Sequence, residues 1–156
     1  RGRRATIFSR AAVPFATMIC YEAIFPAEVR EFTQAGARFL VHITNDAWFG
    51  QSGAPAQHLA MAAMRAVENG MYLVRAANTG ISAVVSPSGE ILARTPLLTE
   101  TSLVATILPR QGRTPYSRVG DVFPWACLVC FAASGLLPRV RRGQVGPGDG
   151  VADSEG

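Results

Sequence analysis

Two apolar runs, Val13 to Ile19 and Arg38 to Thr44, flank a segment of helical spacing, and that order constrains the chain more than any other feature. A strand buried on both faces reads as a near-continuous apolar run, because neither set of side chains meets water. Between the runs, Pro26 to Ala35 puts a proline near a helix start, acids in the first turns and Gly36 just past the end. Val29 and Phe32 mark the buried face of that helix. Strand, helix and strand open a parallel unit, so the chain is expected to be an α/β protein.

The pattern continues downstream. Ala56 to Asn69 is an amphipathic helix, apolar at Leu59, Ala62, Ala63, Ala66 and Val67, with Gly70 as its stop. Tyr72 to Ala77, Ile81 to Val85 and Ile91 to Arg94 read as strands, joined by Asn78-Thr79-Gly80 and by the tight turn Pro87-Ser88-Gly89-Glu90. Thr101 to Leu108 is expected to add one more strand. Residues 1 to 12 and Pro109 to Asp121 read as loops.

The chemistry gathers where the first run ends, in Thr17-Met18-Ile19-Cys20-Tyr21-Glu22. A thiol on a sharp strand-to-helix turn has an exposed side chain and a neighbouring backbone N–H free to meet an oxyanion, here that of Tyr21. Glu22 adds a carboxylate beside it. The competing reading is a buried core cysteine, since free Cys is among the most buried residue types. A second loop, Asn45-Asp46-Ala47-Trp48-Phe49-Gly50, leaves the next strand at the same end, where ligand sites of α/β sheets gather. Trp48 and Phe49 either plug the core or line a pocket for an apolar ligand.

Composition narrows the function. All fifteen basic residues among the 156 are arginines, so no lysine is available to any mechanism within this chain. The net charge of +4 is carried largely by arginines before Phe15 and by Arg139, Arg141 and Arg142. No aromatic-interleaved basic stripe accompanies them, which argues against a nucleic-acid partner. Three cysteines give no disulfide framework. Cys127 and Cys130 form a C-x-x-C inside an apolar run with no second ligand pair, so no metal is expected there. No cofactor is implied.

Only 17 % of residues are charged and the mean hydropathy is +0.20, so a membrane segment is sought. Val122 to Leu137 carries no charge, includes Phe123, Trp125, Leu128 and Phe131, and is followed by the arginine cluster. It is expected to be a transmembrane helix with its arginine end in the cytoplasm, although slightly short of the ~20 residues that span a bilayer. The tail from Gly143 is expected to be disordered. Arg1 is not an initiator residue, so the chain reads as the C-terminal piece of a longer protein.

Five ordered motifs now carry a resemblance: Ile19-Cys20-Tyr21-Glu22; Asn45 to Gly50; Gln57-His58 with Arg65-Ala66-Val67-Glu68; Arg75 to Ser82; and Pro115-Tyr116 with Gly120-Asp121. Together they resemble the apolipoprotein N-acyltransferases of the nitrilase, or carbon-nitrogen hydrolase, superfamily. The resemblance implies the C-terminal half of a nitrilase-like α-β-β-α sandwich over residues 1–118, a final transmembrane helix over 119–140 and a cytoplasmic tail over 141–156. It implies a multi-pass protein of the bacterial plasma membrane with its catalytic domain on the outer side. The implied reaction moves a fatty acyl chain from a phospholipid onto Cys20 as a thioester, then onto the N-terminal amine of S-diacylglyceryl-cysteine in an apolipoprotein. Cys20 matches the nucleophile of a Glu–Lys–Cys triad. The glutamate and lysine precede the cysteine in that family and do not lie in this chain, so the piece alone is expected to be inactive. Tyr21 and Glu22 match positions the family needs intact, Glu22 orienting the site rather than acting as its base. Trp48, Phe49 and Asn45 are the substrate-binding candidates.

Three other readings stay open. One is a nitrilase-type amidase acting on a small soluble amide. Another makes His58 or His42 the base for Cys20 in a Cys–His pair. The third is an inactive, membrane-anchored binding domain. Arg75 and Asn78 either serve the pocket or hold the hairpin, the second being favoured.

Overall fold

The computed structural model describes residues 5–10, 12–111 and 114–136. Six strands form one mixed sheet in sequence order: β1 (Ile7–Phe8), β2 (Phe15–Ile19), β3 (Leu40–Asn45), β4 (Leu73–Asn78), β5 (Ala83–Val85) and β6 (Ile91–Arg94). β2, β3 and β4 run parallel, while β1, β5 and β6 are antiparallel to their neighbours. Each parallel step needs a crossover, supplied by α1 (Pro26–Gln34) and α2 (Ala54–Asn69). Both crossovers step the same way across the sheet, which puts both helices on one face.

That face is the core. Ala16 and Met18 of β2, Leu40 of β3, Leu73 of β4, and Ala83 and Val85 of β5 are fully buried against Val29 of α1 and Ala62 and Ala66 of α2. Side chains alternate along a strand, so the intervening residues make the opposite face. It is apolar yet open, with Ile19 58 % and Ile43 43 % exposed. α2 stops at Gly70, whose φ of +64° takes the left-handed turn that glycine adopts without Cβ strain.

Besides shifts of one or two residues at strand ends, such as β5 starting at Ala83 rather than Ile81, the structure departs from the sequence-based expectations in these places. Residues 7 and 8, expected in a loop, pair with β2, held by Phe8 stacking on Phe15 at 4.9 Å. Thr101 to Leu108 is not a strand: the sheet ends at β6, and the segment is followed by the Arg110 N–H donating to the Arg38 carbonyl at 3.0 Å. The loop after Pro109 holds a short helix, α3 (Pro115–Val119), capped by the Thr114 hydroxyl. α2 starts at Ala54 rather than Ala56, because Pro55 suits a first helical turn.

The chain divides into two compact units, residues 1–121 and 122–156. The second begins with α4 (Val122–Leu136), uncharged throughout, with Phe123 and Phe131 each 78 % exposed. Fifteen residues of helix span about 22 Å, against ~30 Å of bilayer hydrocarbon. Among the described residues no helix is long and apolar enough to cross a membrane. The cytoplasmic tail expected over 141–156 lies outside the described residues.

Candidate active site

β2 delivers Cys20 to the carboxyl end of the parallel strands, and the chain turns there into a 3-10 helix, Cys20–Ile24. Cys20 has a φ of +52°. A side chain with a Cβ takes up that left-handed conformation at a cost of order 1–3 kcal/mol, and only where the surroundings impose it. One restraint is Glu22, whose Oε2 accepts from the Ile19 N–H at 2.7 Å and so bridges the turn from below. Glu22 therefore holds backbone, and its carboxylate is committed to that bond. The Tyr21 N–H lies in the first turn, where backbone donors have no partner inside the helix.

The thiol is half-buried and free. It opens on a cleft of about 640 Å³ whose walls include Ile19, Tyr21, Phe25 and Pro26. Phe49 stands behind this wall, edge-on to the Tyr21 ring with centroids 6.4 Å apart. Trp48 is 87 % exposed, and neither it nor Asn45 is among the residues lining the cleft. The Asn45 Oδ1 accepts from the Ala47 N–H, fixing the turn that carries the two aromatic residues.

Beneath the Cys20 turn lies a buried polar cluster. Arg75 of β4 donates through Nη2 to Asp46 Oδ2 at 2.6 Å, through Nη1 to His42 Nδ1 at 2.8 Å and through Nε to the Ile81 carbonyl at 3.1 Å. Asp46 Oδ1 also accepts from Thr44 Oγ1 at 3.1 Å and from His58 Nδ1 at 3.0 Å. His42 is paired with Arg75 in the parallel register of β3 and β4, which is why the two side chains share the core face. Arginine has only donors, so His42 Nδ1 must be the acceptor and Nε2 must carry the proton. That Nε2 donates to the Cys20 carbonyl at 2.9 Å. Burial, then the Arg75 charge, pull the His42 imidazole from 6.5 down to about 4, so it is neutral at neutral pH. His58 stacks on the Tyr21 ring at 5.3 Å, and its buried Nε2 has no hydrogen-bond partner among the described residues.

The structure thus brings together Cys20, Tyr21 and Glu22, with Phe49 one ring behind them. His42 reaches the Cys20 backbone carbonyl through Nε2, and His58 is committed through Nδ1 to Asp46. Arg75 serves the buried cluster. Sequence reasoning assigned no role to Asp46, although its place in the loop before Trp48 offered a signal: a buried acid just past a strand end needs a cation or water, and Arg75 lies inside the next strand, β4. Cys127 and Cys130 are exposed and free, and no group of His, Cys, Asp or Glu among the described residues could hold a metal ion.

A sequence model of the carbon-nitrogen hydrolase family matches residues 1–116. Among named proteins, the chain is 50 % identical over 125 residues to an apolipoprotein N-acyltransferase of Geobacter metallireducens, covering 80 % of this chain and 24 % of that protein. It is 46 % identical over 117 residues to one of Haemophilus influenzae, covering 75 % and 22 %. It spans about a quarter of the length of these curated relatives. Among solved structures it is similar to an amidase from Nesterenkonia sp., at 25 % identity and a TM-score of 0.53 over 62 % of this chain and 39 % of that one.

Proposed function

The chain belongs to the carbon-nitrogen hydrolase family, and from that premise we propose that it is the nucleophile-bearing part of an apolipoprotein N-acyltransferase. The observation that carries this reading is Cys20, held at a φ of +52° beside an apolar cleft at the carboxyl end of the parallel strands, in a chain 46–50 % identical to enzymes of that name. In the first half-reaction the Cys20 thiolate attacks the ester carbonyl of a phospholipid. A C–S bond forms, the C–O bond breaks and the lysophospholipid leaves with a proton. In the second, the N-terminal amine of an S-diacylglyceryl-cysteine attacks the thioester, an amide forms and the thiol is restored. A thioester suits this sequence because it keeps the acyl group reactive toward an amine.

Cys20 is the nucleophile and the Tyr21 N–H the oxyanion donor, while Glu22 orients the turn. Trp48, Phe49 and Asn45 form the loop at the lipid entrance. The base and the accompanying cation are a glutamate and a lysine outside this chain, which holds no lysine. Residues 1–118 are the corresponding part of the catalytic domain, and α4, which starts at Val122 rather than 119, opens the membrane helix that follows it, on an enzyme whose catalytic domain faces outward from the bacterial plasma membrane. The uncharged, aromatic and exposed surface of α4 supports that placement.

The test uses the intact protein in membranes with a phospholipid labelled on its acyl chain and no acceptor. Label should attach to Cys20 in a form that neutral hydroxylamine removes. Cys20→Ser should carry none, and Cys127→Ala and Cys130→Ala should label normally. A folded protein that takes no label would overturn the reading. The likeness to an amidase favours a second one, cleavage of a small amide by the same thiol, and that protein would release ammonia from the amide while leaving the phospholipid untouched.

A further inference from the structure

We infer that His42 is a positioning residue for the oxyanion site, pinning the Cys20–Tyr21 peptide so that the Tyr21 N–H faces the cleft. This rests on the acyl-transfer reading of Cys20 and adds a residue to it. The peptide is trans and planar, so its C=O and N–H point in opposite directions. The C=O is drawn down to the fully buried His42 Nε2 at 2.9 Å. The N–H is therefore aimed the other way, toward the side where Cys20 and Tyr21 line the cleft.

His42 can hold that carbonyl because its tautomer is fixed. Arg75 Nη1 occupies Nδ1 and is itself anchored on Asp46, which leaves the single imidazole proton on Nε2. Asp46, Arg75, His42 and the Cys20 carbonyl form one chain of hydrogen bonds from the sheet core to the reacting turn. The same bond restrains the left-handed turn at Cys20: swinging its carbonyl off His42 would strand a buried donor. An oxyanion donor that is fixed before the reaction needs no reorganisation when charge develops on the carbonyl oxygen.

The test separates the oxyanion from the thiol. Acylation of Cys20 develops an oxyanion, whereas alkylation by iodoacetamide displaces a halide at a saturated carbon and develops none. In the intact protein, His42→Leu should slow acylation about 10- to 100-fold, seen in kcat with KM nearly unchanged. Its iodoacetamide rate should stay close to the wild type. His42→Gln, which can reach the Cys20 carbonyl with an amide N–H, should regain most of the acylation rate. His42→Asn, which offers Arg75 an acceptor but falls short of the carbonyl, should remain slow. Should the Leu variant fail to fold, the Gln and Asn pair decides. Equal acylation by Gln and Asn, or a parallel loss of alkylation and acylation, would overturn the inference. Acylation is measured with a labelled phospholipid and with p-nitrophenyl butyrate. A wild type acylated only by the activated ester would refute the phospholipid reading while the variant ratios still judged His42.

Discussion

At the scale of single residues, the proposed nucleophile, Cys20, stands above a buried ion pair. Arg75 and Asp46 are both inaccessible to water, so each depends on the other for its charge. Arg75→Met should leave the Asp46 carboxylate uncompensated and destabilise the protein by about 3–5 kcal/mol, read from the urea midpoint. His42 contributes a pH dependence of defined sign. In the unfolded chain it takes up a proton near its ordinary value of 6.5, but in the folded protein only near 4. Between those values the unfolded state binds the extra proton, so stability falls as pH drops from about 6.5 to about 4 and levels off below. The loss attributable to His42 is on the order of 3 kcal/mol. His42→Gln should lack this part of the slope, measured as the difference between the two proteins' stability curves against pH.

At the scale of elements, the ends of β2, β3 and β4 must pack closely enough for their loops to share the cluster. Gly80, just beyond β4, shows how closely: a Cβ there would lie 2.4 Å from Asp46 Oδ2 and 2.8 Å from Asp46 Cβ. Gly80→Ala should cost about 1–3 kcal/mol by overpacking, and should slow acylation by displacing the carboxylate that orients Arg75. A circular-dichroism melt beside a labelling assay checks both. The parallel strands and their crossover helices were legible in the sequence because each carries its own period: the apolar run of β3, or Leu59, Ala62 and Ala66 along α2. β1 was not, since two residues carry no period and Phe8 is fixed by stacking on Phe15. Thr101 to Leu108 has strand-like composition, but a strand also needs a neighbouring edge, and that is a tertiary fact. The position of Cys20 and the turn after it could be read locally. The Arg75–His42 contact could not, because it arises from the register between β3 and β4, which neither strand states alone.

At the scale of the whole molecule, one sheet face is closed by α1 and α2 while the other is open and apolar at Ile19, Val41, Ile43 and Val74. The chain spans about a quarter of the length of its curated relatives; in the function proposed, we place the nucleophile, the oxyanion donor and their buried support in this part and the base and the cation elsewhere. The role proposed for Cys20 is to carry an acyl group from a lipid to an amine. The most direct measurement incubates the intact protein with a phospholipid and a synthetic S-diacylglyceryl-cysteine peptide and follows the peptide's mass. A gain of one acyl chain on the α-amino group is expected, with none from Cys20→Ala. A peptide left unmodified by folded wild-type protein, or modified equally by Cys20→Ala, would contradict it.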